Sequence, residues 1–277
     1  MQNSNSTAHF NTVQFLRLQN LKNNREFLSE YIEKNLLLHL EPITITPKNI
    51  LNISYDKFID FKKLNIFNKY NIFNFVPVKI NETNVNKTYK YNNLFNIFSN
   101  KNNSNTYYSN DINSYPEEIK TIKFDIIYSN LAFSYYKDLP TIFKNLSALL
   151  KTNGLIIFSL FGLGTAVELP FKLLLIDMHD IGDMLLHSGF SSPVVDAQRF
   201  NVNYKTADIK SLLKDLQAFN ILINTKNYPK SKLFDIFKDI KNISVECIYA
   251  HAWKKETNKI QNDTSIINID KIINRKN

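Results

Sequence analysis

Few side chains in this 277-residue chain offer themselves for covalent or acid–base chemistry. The single cysteine, Cys247, rules out an internal disulfide framework and a cysteine-based zinc cluster. His179 and His251 carry the ring nitrogens of a general base. Neither falls into a dyad or triad with a nucleophile and an orienting acid, and capping or packing is the reading each favours. The stretch that points to chemistry is "NILNISYDKF", Asn49 to Phe58. Its first half reads as a strand, with Ile50, Leu51 and Ile53 following Pro47. An open α/β sheet holds a nucleotide-like ligand just beyond such a strand, in a turn that needs glycine so that backbone and ligand can approach closely. Here the turn reads Ser54, Tyr55, Asp56 and Phe58, with no glycine at all.

The elements that would position this turn follow from periodicity. Residues 10–40 are predicted helical: Phe27, Tyr31 and Leu38 fall near one face, with Leu28, Ile32 and Leu36 beside them. A strand at 48–54, a helix at 57–69 and a strand at 71–77 come next. Asparagines crowd between Asn49 and Asn113, and residues 80–115 read as loop with one short element. "IKFDIIYS" reads as a buried strand. "DLPTIFKNLSALLKTNG" reads as a helix capped by Asp138, with Pro140 in its first turn and Gly154 beyond its end. "LIIFSLFG", nearly all apolar, reads as a parallel strand. "MHDIGDMLLHSGF" is a helix ending at Gly189, "SPVVDAQRFNVNY" a strand, "TADIKSLLKDLQAF" a helix and "ISVECIYAHAWKK" a closing strand. The alternation predicts an α/β fold with a mostly parallel, doubly covered sheet and an antiparallel edge. The domain reading is an N-terminal helical segment at 1–47, an α/β domain at 48–255 and a polar tail at 256–277.

A net charge of +9 invites a nucleic-acid reading. The lysines are scattered among asparagines and arginine is scarce, so no nucleic-acid partner is expected. No stretch approaches the roughly 18 apolar residues of a membrane span, and "MQNSNSTAHF" lacks the basic-then-apolar pattern of a secretory signal. A soluble cytoplasmic protein is the expectation.

From Phe124 onward the chain resembles the class I S-adenosylmethionine-dependent methyltransferases. It is most similar to those that methylate the malonyl carboxylate of malonyl-[acyl-carrier protein] in biotin biosynthesis. The resemblance is carried by Phe124-Asp125, Ser129-Asn130-Leu131-Ala132, Asp138-Leu139, Gly154-Leu155 and Phe158…Phe161-Gly162. "DMHDIGD" (Asp177 to Asp183), Gly189-Phe190 and "HAWKK" (His251 to Lys255) complete it. It implies a seven-stranded sheet in the order 3-2-1-4-5-7-6, with the last strand antiparallel. It also implies S-adenosylmethionine as cofactor and a carboxylate linked to an acyl carrier protein, or another small carboxylate, as substrate.

The resemblance places Ser54, Asp111, Ser129, Asn130 and Leu131 around the cofactor, with Asp111 accepting from the adenine amine. Tyr135, where relatives carry tryptophan, and Thr165 fall on the substrate side. Methyl transfer from a sulfonium to a carboxylate needs alignment and exclusion of water rather than a base, so no catalytic residue and no metal are expected. Three departures stand out. The cofactor turn has lost its glycines. The second strand carries no acidic residue before Glu82 to bind ribose, leaving Asn74 as a neutral substitute. Pro170 replaces an arginine that would clamp the substrate carboxylate, in a shortened lid where Lys172 is the nearest cation. Two functions follow: a methyltransferase with an eroded cofactor loop, or an inactive relative that works by binding or assembling a protein partner.

Overall fold

The computed structural model describes residues 25–54, 67, 69–77, 104–109, 112–170, 175–203, 235–236, 240 and 242–256. The helix expected over "TADIKSLLKDLQAF" lies outside these residues, as do Tyr55, Asp56, Phe58, Glu82, Asp111 and Lys172; of the helix expected at 57–69 only residues 67 and 69 are described, neither of them helical.

Seven strands form one sheet: β1 (Asn49–Ile53), β2 (Asn71–Pro77), β3 (Ser104–Ser109), β4 (Phe124–Asn130), β5 (Leu150–Phe161), β6 (Phe190–Asn203) and β7 (Asn242–Lys254). Their order is β3-β2-β1-β4-β5-β7-β6, as the resemblance implied. The pairs from β3 through β5 are parallel, and β7 runs antiparallel to both β5 and β6. The central strands are buried on both faces, which explains their unbroken apolar runs: β5 is buried from Gly154 to Phe161. β3 is the short element inside the asparagine-rich stretch.

The foot of the sheet is tied by one carboxylate. Asp125 Oδ2 accepts from the N–H groups of Lys48 and Asn49, 2.9 Å each, and Oδ1 accepts from Lys151 Nζ at 2.7 Å. Burial pushes the Asp125 pKa up, but Lys151 and the two backbone donors together bring it below the ordinary carboxylate value.

Helix α1 (Arg25–Leu38) lies against β4 and β5. Leu28, Ile32, Leu36 and Leu40, spaced by four, are its buried stripe. The other apolar stripe is largely left to solvent: Tyr31 and Leu38 are 40% and 49% exposed. A single turn, α2 (Glu117–Lys120), precedes β4, and a 3-10 helix (Ala132–Tyr135) follows it.

Helix α3 (Leu139–Leu149) is capped by Asp138, whose Oδ1 accepts from Thr141 N–H at 3.2 Å. It ends earlier than its sequence suggests, because Leu150 pairs with Phe124 and opens β5. Asn153, at φ 58°, turns the chain, and Gly154 sits where a Cβ would come within 3.1 Å of the Phe124 carbonyl. Phe133, Phe143 and Phe158 interlock edge-on and tilted, with centroids 5.1–5.8 Å apart, and join α3 to the sheet. Helix α4 (Met178–His187) is capped by Asp177 and packs over β6.

Candidate functional site

β1 leads outward to β2 and β3, and the chain then returns to place β4 on β1's other side. The crevice between the carboxyl ends of β1 and β4 is therefore the switch point where a doubly wound sheet receives its ligand. Ile53 pairs with Phe75 on one side and Ser129 on the other. Ser54 follows directly, buried, its N–H donating to the Phe75 carbonyl at 3.4 Å.

Two buried polar atoms at this crevice lack a hydrogen-bond partner. Ser129 is fully buried at the end of β4 and its hydroxyl is unpaired. Asn52, one residue before the end of β1 and also fully buried, donates from Nδ2 to Asn74 Oδ1 at 3.0 Å while its own Oδ1 accepts nothing. The Asn52 and Ser129 side chains leave opposite faces of the sheet on adjacent levels. An unsatisfied buried polar group costs about 1–3 kcal/mol, and these two lie at the switch point. Asn74, the neutral residue on β2, is engaged with Asn52.

Beyond Ser129 the backbone is strained. Leu131 stands at φ 57°, ψ −3°, a left-handed conformation that costs a side-chain-bearing residue on the order of 1 kcal/mol. Asn130 Nδ2 donates to the Ser29 carbonyl of α1 at 3.1 Å, and its Oδ1 accepts from Ser159 Oγ at 2.7 Å. Ser159 Oγ in turn accepts from Leu131 N–H at 3.0 Å. Tyr135 closes the 3-10 helix that continues this turn. Ser54, Ser129, Asn130 and Leu131 thus gather at one crevice, while Asp111 lies outside the described residues.

Thr165 stands apart, in the loop after β5, where it is 1% exposed. Its hydroxyl donates to the Glu246 carbonyl at 2.9 Å and accepts from Glu246 N–H at 3.0 Å, so it fastens the loop to β7. The Glu246 carboxylate accepts from Gly164 N–H at 3.0 Å and from Arg199 Nε at 2.6 Å. Glu168 accepts from Ser244 N–H at 3.0 Å and from the Ser244 hydroxyl. There is no room for side chains beneath this strap: a Cβ at Gly164 would lie 2.1 Å from Glu246 Oε2. Glu246, a charge in the otherwise apolar run "ISVECIYA", was visible in the sequence as an anomaly, but its partners were not.

The histidines do what capping and packing predict. His179 sits on the α4 cap, its N–H and ring Nδ1 2.8 and 2.7 Å from Asp177 Oδ1. His251 lies within β7 opposite Ile157, and burial, then the charge of His39, lowers its pKa and keeps it neutral. Burial also pushes the Cys247 thiol up to about 12, so it is no nucleophile. Among the described residues no group of three or more His, Cys, Asp or Glu is placed to hold a metal, and no helix is long and apolar enough to cross a membrane.

Sheet order and strand directions define the class I S-adenosylmethionine-dependent methyltransferase fold. The YcgJ protein of Bacillus subtilis, known from a crystal structure, shares it at a TM-score of 0.52, over 81% of this chain and 99% of its own, at 12% identity. Several curated relatives to which the chain is similar are malonyl-[acyl-carrier protein] O-methyltransferases. That of Gallionella capsiferriformans is 33% identical over 153 residues, covering 47% of this chain and 52% of its own. One from Coxiella burnetii is 32% identical over 180 residues, covering 54% and 62%. A further relative, the mitochondrial arginine-hydroxylase NDUFAF5 of Dictyostelium discoideum, is 30% identical over 53% of this chain and 36% of its own. The match spans about half the length of the first of these relatives. No family model matches the chain.

Proposed function

We propose that the protein is an S-adenosylmethionine-dependent O-methyltransferase whose acceptor is a carboxylate carried on an acyl carrier protein. The observation that carries the reading is the orphaned, fully buried Ser129 hydroxyl at the β1–β4 switch point, beside the strained Leu131 turn. A polar ligand entering there relieves the cost of leaving that hydroxyl unpaired. On this reading Ser54 and Ser129 flank the cofactor, Asn130 and Leu131 wall it, and Asp111 is proposed for the adenine amine. When bound, S-adenosylmethionine supplies a methyl group already activated by the sulfonium charge. The chain's own part is to orient and to keep water out. Tyr135 is proposed to cover the acceptor. Thr165 contributes through the strap it fastens, since its hydroxyl is already committed to Glu246. No base is required, because a carboxylate presents its lone pair at neutral pH.

The sequence of the turn after β1 favours a second reading. Ser54, Tyr55, Asp56 and Phe58 fill positions where glycine would admit the cofactor, and Asp56 would repel its carboxylate. On that reading the protein keeps the fold to bind or assemble a partner. A thermal-shift titration with S-adenosylmethionine or S-adenosylhomocysteine separates the two: at 100 times Kd the folded state gains about 2.7 kcal/mol and the melting temperature rises. No shift at millimolar ligand would sink the methyltransferase reading. If binding is found, transfer of labelled methyl to malonyl-[acyl-carrier protein] tests the acceptor.

A further inference from the structure

Ser159 is not among the residues that the sequence or the relatives single out. It is the one polar residue in "LIIFSLFG", fully buried on β5 directly opposite Asn130. Buried hydroxyls in an apolar strand need partners, and this one has two, both in the turn after β4.

The direction of the hydrogen bonds is fixed by what each group can do. A backbone N–H can only donate, so Leu131 N–H gives its proton to Ser159 Oγ. The Ser29 carbonyl of α1 can only accept, so the Asn130 amide nitrogen faces it. The amide oxygen is then left on the β5 side and takes the Ser159 O–H. The chain Leu131 N–H to Ser159 O–H to Asn130 to Ser29 carbonyl is closed at both ends, and each donor meets an acceptor. One hydroxyl thus links the Leu131 N–H, in its left-handed turn, to the Asn130 amide that reaches α1.

We propose that Ser159 is a positioning residue for the candidate cofactor crevice, acting through Asn130 and Leu131 without touching the ligand. Its consequence for binding rests on the cofactor reading given above; its action on the turn does not. The nearby Ser129 hydroxyl stays free for a ligand because the bonds that hold the turn are made by Ser159 instead.

The test compares wild type with Ser159→Ala by amide hydrogen exchange, resolved at Leu131, and by calorimetric titration with S-adenosylhomocysteine. The expected results are exchange at Leu131 at least tenfold faster and affinity about tenfold weaker. Ser159→Thr, which keeps the hydroxyl, should restore both. Unchanged Leu131 exchange in Ser159→Ala overturns the proposal, and so does an affinity loss that Ser159→Thr leaves in place. Should Ser159→Ala fail to fold, Ser159→Cys fills the same space with a much weaker partner and takes its place. If wild type itself binds no S-adenosylhomocysteine, the cofactor reading falls, and Leu131 exchange alone decides for or against Ser159.

Discussion

The chain leaves the carboxyl edge of the sheet after β4 and again after β5, and the two exits are built on opposite terms. After β5, residues 162–169 lie strapped to β7: Thr165, Glu168 and Glu246 each hydrogen-bond across the strap, and Gly162 and Gly164 leave no space beneath. After β4, a buried hydroxyl goes unpaired and Leu131 is held in a costly conformation. One exit spends its polar groups on fixing the backbone, and the other keeps one of them, the Ser129 hydroxyl, available. Burial of polar residues alone does not separate scaffold from site, since Thr165 and Ser129 are equally enclosed. What separates them is whether the bonds are already made.

The sharpest way to break the contrast is Gly164→Ala. Its Cβ would collide with the Glu246 carboxylate and push it off Gly164 N–H and Arg199, so a loss of about 2–3 kcal/mol is expected in denaturant unfolding. Thr165→Val keeps the shape but strips both bonds to Glu246. It should cost about 1–3 kcal/mol of stability and leave S-adenosylhomocysteine affinity unchanged, checked by unfolding and titration together. Ser129→Ala should do the reverse, weakening the ligand about tenfold in calorimetry while leaving the melting temperature level or slightly raised. If Thr165→Val lost affinity and Ser129→Ala lost stability, the distinction between the exits would be refuted.

The smallest effect concerns the foot of β4. The folded pKa of Asp125 lies below its unfolded value, so its contribution is fully present above about pH 4 and disappears as pH falls through the folded pKa. The carboxylate is partly solvated, which limits the effect to about 1 kcal/mol or less. Asp125→Asn should flatten the acid limb of a stability-versus-pH curve and alter nothing at the crevice.

Strands whose side chains pack on both faces were legible because burial leaves an unbroken apolar run: β1, β2, β4 and β7 appear within a few residues of their expected bounds. Asp138 and the α4 cap were legible because capping is a local event. β3 was not distinct, since "SNTYYS" owes its form to pairing with β2 rather than to its own pattern. The end of α3 was misjudged for the same kind of reason: pairing between Leu150 and Phe124 outweighs the helical periodicity that runs on past Leu149. Ser129, Asn130 and Leu131 were named through a resemblance, and the structure places them together at the end of β4. Asn52, Ser159 and Glu246 were passed over although each interrupts an apolar run. Such an interruption says that a partner exists, and only the folded chain says which.

The place of β7 between β5 and β6 has a consequence for how the protein comes into being. Among the described strands β6 precedes β7 in the chain yet bonds to no other, so it has no strand to pair with until residues 242–254 have been made. Until then the outer rim of β5, one of the most apolar strands in the molecule, stands open during synthesis. Pairings as distant as Leu155 with Trp253 close slowly. A ribosome paused short of Asn242 would hold out a bare template for strand addition, and the nascent protein's need for a chaperone should be greatest there.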